Sequence, residues 1–385
     1  MLSLLVVANR KGANVNIKII MIPRNHEYIK QLKRSLEKID VDVKLLKPFH
    51  YSSLTNIIKM LYLRLKGYKI IHVHWLYIFP FKFVMMAFYY FCKGIGLKIV
   101  WEMHNIVSHS GKEKDLVNSQ WFYDKADAII FHSQDDVFRT KDILKKNETE
   151  DKKYIVIPHG NFNKSYENRI SKKDARITLG IPDQDRVILC FGFIRKNRGY
   201  EYLLEAVKGR PNTTIVIAGK LQDKDVYKKL LDYKKIIPTL KLFAQWIPDN
   251  EIQLYFNACD IVVLPYSDIT TSGVIPLAYA FSRPVVTSAI GGIKDIVNDN
   301  TGLLVPIKNV GALRNAIDKI LALDFESMGN YARQYAERQF NWDSNAVKIK
   351  ELYGSLCNIC LADTNSANYH SGKINAIRDA ENRNC

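Results

Sequence analysis

Short unbroken apolar runs recur along the chain, each followed by a more polar stretch. The runs at 16–23 (NIKIIMIP), 41–46 (VDVKLL), 70–75 (IIHVHW), 97–103 (LKIVWEM), 126–133 (ADAIIFHS) and 154–157 (YIVI) are rich in β-branched residues. Runs of this kind suit strands of a parallel sheet covered on both faces. Residues 28–38 and 56–64 between them have helical periodicity, and 83–92 reads as a further helix. A second series begins at 186–191 (RVILCF) and continues through 214–218 (TIVIA), 240–243 and 261–265 (IVVLP), with helices over 249–256 and 274–281. Strands alternating with helices predict an α/β fold with parallel sheets, and two series predict two such units.

The stretch 261–292 holds the densest chemistry. A buried strand ends at Pro265, a polar turn runs from Asp268 to Gly273, and an apolar helix follows until Pro284 stops it. Small residues entering a helix leave backbone N–H groups free, and these favour an anion. An ordinary capped helix fits the same residues. The loop Gly192-Phe193-Ile194-Arg195-Lys196-Asn197-Arg198-Gly199 follows the first strand of the second series. Guanidinium groups give parallel donors to phosphate, although three basic residues in a loop also suit a solvated face. In the first series His74 and His104 close their strands, where ligands of open parallel sheets bind. His72 reads as a structural residue of the strand body.

These motifs resemble the family 4, or group 1, glycosyltransferases. The resemblance rests on Pro265-Tyr266, Thr271-Ser272-Gly273, Ser282-Arg283-Pro284-Val285-Val286, Gly291-Gly292, the 300–305 segment NTGLLV, His104-Asn105, the 154–160 segment YIVIPHG and the loop from Gly192 to Gly199. It spans about 16–354. It implies the GT-B fold, two Rossmann-like parallel-sheet domains facing across a cleft. On that reading 1–165 is an acceptor domain and 166–341 a nucleotide-sugar donor domain. A helix over 342–360 crosses back to the first domain, and 361–385 is a disordered tail.

The resemblance also implies roles for particular residues. Arg195, Arg198, Thr271, Ser272 and Gly273 would hold the donor phosphates. Gly192, Gly219, Lys220, Gln245, Trp246 and Ile247 would meet the nucleotide, and His104 would be catalytic. Asn25, His74 and His109 would lie on the acceptor side; Asn25 also reads as a surface turn and His109 as a loop residue. The donor would be a UDP- or GDP-sugar and the acceptor a glycan or lipid-linked molecule, with retention of anomeric configuration as in most of the family and inversion left open by the missing glutamates. No cofactor and no metal is expected. One departure matters: Ile269 and Leu277 stand where most members carry two glutamates that contact the sugar and the ribose. That leaves open a non-catalytic nucleotide-sugar binder.

Composition narrows the picture further. A net charge of +17 draws polyanions, whether phosphorylated substrates, an anionic membrane face or nucleic acid. No basic stretch interleaved with stacking aromatics supports nucleic acid. Basic residues outnumber acidic ones between Lys30 and Lys69, and the aromatic-rich segment 76–92 follows. An anionic membrane interface suits this pattern; so does a core helix beside solvated lysines. No secretory leader is expected from 2–7, and no membrane span from the interrupted 76–92. Six cysteines, with one isolated Cys357-x-x-Cys360 pair, point to a reducing cytoplasmic setting without a cysteine zinc site. The expected location is cytoplasmic, peripheral to the inner face of the membrane. Oligomeric state is left open.

Overall fold

The computed structural model describes residues 16–23, 26–47, 53–76, 79, 81–105, 113–145 and 153–358. The first part of the chain gives β1 (Ile17–Ile22), α1 (Glu27–Glu37), β2 (Val41–Leu45), α2 (Ser53–Leu65), β3 (Ile70–Val73), α3 (Lys82–Gly94), β4 (Lys98–Glu102), α4 (Glu113–Lys125), β5 (Ala128–Phe131), α5 (Gln134–Ile143) and β6 (Tyr154–Val156). The second part gives α6 (Lys172–Leu179), β7 (Arg186–Phe191), α7 (Tyr200–Val207), β8 (Thr213–Ala218), α8 (Lys224–Ile236), β9 (Leu240–Phe243), α9 (Ile252–Ala258), β10 (Ile261–Leu264), α10 (Val274–Ala280), β11 (Val285–Ser288), β12 (Gly302–Val305), α11 (Val310–Ala322), α12 (Phe325–Gln339) and α13 (Trp342–Leu356). Two 3-10 turns, Lys196–Arg198 and Gly291–Asp295, punctuate the second part.

The strands form two six-stranded sheets, ordered β2-β1-β3-β4-β5-β6 and β12-β11-β10-β7-β8-β9. Every pairing is parallel. The strand order reverses beside β1 in the first sheet and beside β7 in the second, which opens a crevice at the carboxyl ends of the strands. This is the two-domain GT-B architecture.

In the first sheet successive residues alternate between two cores. Ile71, Val73, Ile99, Trp101, Ile129 and Phe131 face α2, α3 and α4. Ile70, Val100, Ala128 and Ile130 face α1 and α13. By the same alternation His72 and Glu102 belong to that second face, with His74, His104 and His132 one step beyond the strand ends. The apolar face thus becomes polar at its carboxyl edge.

Helix α13 returns to the first sheet, burying Trp342, Ala346, Ile349, Leu352 and Tyr353 against α1 and the strands. Asn341 caps it by accepting from the amides of Asp343 and Ser344. The chain therefore passes between the domains twice, and the two passages are tied together. The Asn161 amide and its Nδ2 both donate to the Phe340 carbonyl, at 2.9 and 2.8 Å. Trp342 Nε1 donates to the Asn161 carbonyl at 2.6 Å. Gly160 packs on the Trp342 indole.

The structure adds helices that periodicity did not mark, α4, α6 and α8 among them. Helix α6 is legible only from its ends: Ser171 accepts from the Asp174 amide at the start, and Gly180 adopts φ 63° at the stop. Strand β3 ends at Val73 rather than Trp75, since its last registered partner on β4 is Trp101.

Candidate functional site in the interdomain cleft

A cavity of about 290 Å³ lies between the two sheets. Its wall on the second domain includes Phe191, Gly192, Phe193, Arg198, Gly219, Lys220, Trp246, Ile247, Gly273 and Leu277. The first domain and the linker contribute His26, His159, Phe162 and Tyr166. Of the residues expected to hold the donor, Arg198, Gly192, Gly219, Lys220, Trp246, Ile247 and Gly273 meet here.

Arg198 is the positively charged anchor of the wall. It is 5% exposed and its Nη1 donates to the Tyr266 hydroxyl at 2.8 Å. Its guanidinium also lies 5.0 Å from the centre of the Tyr266 ring. Tyr266 in turn shares a 2.7 Å hydrogen bond with the Ser272 hydroxyl. Gly192 lets the guanidinium approach: a Cβ at its φ of +111° would sit 2.9 Å from Nη2.

Other expected donor contacts lie outside the cavity lining. Arg195 is 7% exposed, with Nε and Nη1 buried and without a hydrogen bond. Burial and the neighbouring Arg198 pull its pKa down to about 10. Ser272 is buried with its hydroxyl on Tyr266, Thr271 is partly buried, and Gln245 is exposed to solvent. The turn before α10 is clamped from three sides. Asn197 Nδ2 donates to the Asp268 carbonyl, Arg139 Nη1 to the Ile269 carbonyl, and the Gly292 amide to the Thr270 carbonyl. Arg139 belongs to α5, so one of these clamps comes from the first domain. Leu277 is on the cavity wall and Ile269 is buried, so neither glutamate position supplies a carboxylate.

His104 does not line the cavity. It is buried, with His132 Nε2 3.1 Å from its Nδ1 and His74 Nδ1 3.4 Å from its Nε2. The Trp75 ring stacks on it at 4.5 Å. Burial, then His132, pushes its pKa well below the usual imidazole range. His74 is fully enclosed, and burial with neighbouring His72 lowers it to about 4. Asn25 and His109 fall outside the described residues.

His159 stands where the sequence assigned no role. Its Nδ1 donates to the Gly160 carbonyl at 2.9 Å, so the neutral ring carries its lone pair on Nε2. A Cβ on Gly273 would lie 3.9 Å from that nitrogen. Glu102 is the other unforeseen group. It is completely buried and receives the Tyr28 hydroxyl on Oε1. His72 Nε2 and His74 Nδ1 both come within 3.1 Å of its Oε2. Burial alone would raise this carboxyl, yet His74, His72 and His104 hold it well below the ordinary range. The signal lay in the sequence as polar residues at alternate positions, His72-x-His74 and Glu102-x-His104, inside otherwise apolar strands.

Comparison with known proteins bears on the second domain above all. Residues 171–339 match the family model of the glycosyl transferases, group 1. Over these residues the second domain is similar to the group 1 glycosyl transferases. An uncharacterized glycosyltransferase of Methanocaldococcus jannaschii is 28% identical over 220 residues, 54% of this chain and 55% of that protein. The D-inositol 3-phosphate glycosyltransferase of Corynebacterium aurimucosum is 25% identical over 267 residues, 65% of this chain and 62% of its own. The match thus spans rather more than half the length of these relatives. Sucrose-phosphate synthase of Thermosynechococcus elongatus superimposes with a TM-score of 0.70 at 18% identity, covering 89% of this chain and 99% of that one. Anabaena HepE in complex with UDP and glucose gives 0.67 at 16% identity, over 88% and 99%. Both likenesses are of fold. The donor-side residues expected from the sequence, from Gly192 to Gly273, fall inside the matched segment.

Proposed function

We propose that this protein transfers a sugar from a nucleotide-activated donor, a UDP- or GDP-sugar, to a glycan or lipid-linked acceptor, with retention of configuration. The observation that carries the reading is Arg198, buried on the wall of the interdomain cavity and oriented by Tyr266. In transfer the bond from the anomeric carbon to the diphosphate oxygen breaks and the acceptor oxygen takes its place. The acceptor's proton is released, and negative charge gathers on the departing diphosphate. A fixed guanidinium aimed at that charge lowers the barrier without reorganising. Arg195, with two buried nitrogens free of hydrogen bonds, would add to the same field. Phe191, Phe193, Trp246 and Ile247 on the same wall suit the base and ribose. Solved HepE holds UDP and glucose, which favours a UDP-sugar here.

Thermal shift with UDP, GDP, CMP and their sugars tests the donor class, because a ligand of the folded state raises Tm. Hydrolysis or transfer of the stabilising sugar nucleotide, without added divalent cation, tests the reaction, and the anomeric proton coupling of the product tests retention. Ile269 and Leu277 favour a second reading, a nucleotide-sugar binder without turnover. Binding with no consumption of donor would select it.

We further propose that the acceptor is met at an anionic membrane face. Helix α2 buries Met60 and Leu63 but exposes Ile58, Leu61, Tyr62 and Leu65, a stripe at helical spacing with Leu65 88% exposed. Helix α3 buries Met85, Phe88 and Cys92 and exposes Phe83 and Tyr90, beside exposed Phe81. Lys59, Lys66, Lys69 and Lys82 are exposed in the same region. Both helices pack on one face of the first sheet, so the segment serves the core and presents an apolar, basic surface at once. No helix among the described residues is long and apolar enough to cross a membrane. Co-sedimentation with anionic liposomes should fall to the level of neutral liposomes in a Leu65→Glu/Phe83→Glu variant. Wild-type protein that stays in the supernatant at low salt removes the reading.

A further inference from the structure

The cluster around Glu102 lies outside the cavity lining, behind His159. We infer that it is a binding site for a divalent transition-metal ion of the zinc type, held by His72, His74 and Glu102.

The distances carry the argument first. Around a tetrahedral ion with bonds of about 2.0–2.1 Å, neighbouring ligand atoms lie about 3.3 Å apart. Here His72 Nε2 and His74 Nδ1 each lie 3.1 Å from Glu102 Oε2. The ligand atoms of His72, His74 and Glu102 all fall within 4.8 Å of one another. His72 Nε2 and Glu102 Oε2 are buried, and despite their closeness neither makes a hydrogen bond.

The outer contacts fix which atoms face inward. His72 Nδ1 is 2.7 Å from the Tyr353 hydroxyl, so a proton there leaves Nε2 free as a ligand. His132 Nδ1 donates to the Ile157 carbonyl, and its Nε2 accepts from His104 Nδ1. That leaves the His104 Nε2 lone pair pointing at His74. Tyr28 donates to Glu102 Oε1 and leaves Oε2 available. Metal-bound imidazoles and carboxylates have their far atoms tied in this way. His74 Nε2 has no outer partner.

Charge gives the reason for an ion. Glu102 is completely buried, and its ion pairs are all with imidazoles. A buried carboxylate needs a compensating positive charge. Two imidazole nitrogens and one carboxylate oxygen suit zinc or its neighbours and not magnesium or calcium. A fully enclosed ion would act as a staple between β3, β4 and, through Tyr28 and Tyr353, helices α1 and α13.

The test uses the untagged full chain, purified without chelator. Plasma mass spectrometry after dialysis against Zn²⁺, then against metal-free buffer, should give one zinc per chain. Glu102→Gln and His72→Gln, each checked for folding by circular dichroism, should retain less than a tenth of that. X-ray absorption of the wild-type zinc form reads the ligands with no substitution. A nitrogen/oxygen shell at about 2.0 Å with imidazole outer scattering is expected. Folded wild-type protein with no zinc, full zinc in both folded variants, or a sulfur-containing shell would each overturn the assignment.

Discussion

Arg198 is held by Tyr266 in two ways, by a 2.8 Å hydrogen bond to the hydroxyl and by a ring 5.0 Å from the guanidinium. Arg198→Ala should therefore weaken nucleoside diphosphate binding by about 1.5–3 kcal/mol, the range for hydrogen bonds to charged groups. Calorimetric titration with UDP and GDP measures it. Tyr266→Phe keeps the ring and loses the hydroxyl, so it should cost less affinity than Arg198→Ala. Unchanged affinity in Arg198→Ala would remove the phosphate assignment.

His159 Nε2 faces the cavity across from Gly273. His159→Ala should lower kcat more than it raises KM for the donor, because an acceptor nitrogen there contacts the reacting end and not the whole nucleotide. Steady-state kinetics separates the two. A rise in KM alone would make His159 a binding residue only.

Gly160 lies against the indole of Trp342, and a Cβ there would come 2.2 Å from Cε2. The ring is pinned by its bond to the Asn161 carbonyl and cannot yield cheaply. Gly160→Ala should destabilise the protein by about 1–3 kcal/mol, as overpacking does. Urea unfolding followed by tryptophan fluorescence reads the shift. A wild-type midpoint would mean that α13 moves freely on the sheet.

Asp136 sits in the first turn of α5 beside the Gly291–Asp295 turn of the second domain. Burial raises its pKa to about 7; Asp135 and Asp295 push the same way, while Ser133 and Arg139 oppose. The folded protein thus binds a proton that the unfolded chain releases near pH 4. Stability should fall as pH rises through the window from about 4 to 7. Asp136→Asn should gain in Tm over wild type, with the gain larger at pH 8 than at pH 5. A constant difference across that range would contradict the buried ionisation.

Much of this molecule could be read from the chain before its structure. The β-branched runs placed the strands of both sheets because strands covered on both faces need unbroken apolar sequence. Arg198 was legible because Gly192 and Gly199 frame its loop. His104 shows the limit: its strand-end position is visible in sequence, but its enclosure by His74, His132 and Trp75 arises from three separate segments. His159 was hidden for the same reason, since only the fold sets it opposite Gly273. Arg195 lies next to Arg198 in the loop and yet misses the cavity lining, a difference of backbone direction that residue type does not encode. Helices α4 and α8 were missed because their periodicity did not stand out from the polar stretches around them.

The paired passages at Asn161 and Phe340 also govern how the molecule can move. Two chain segments bonded to each other where they cross between rigid bodies act as one pin. Sliding or twisting apart would break the bonds from Asn161 to Phe340 and from Trp342 to Asn161, and a swing about that pin must also release the Arg139 bonds to Ile269 and Asp268. Any opening of the cleft to admit a donor is then a rotation with its smallest travel at Gly160, and the first domain, with the exposed apolar stripe of α2 and α3, turns as one piece. A surface anchored on that stripe would hold the first domain, and the second domain would be the part free to swing.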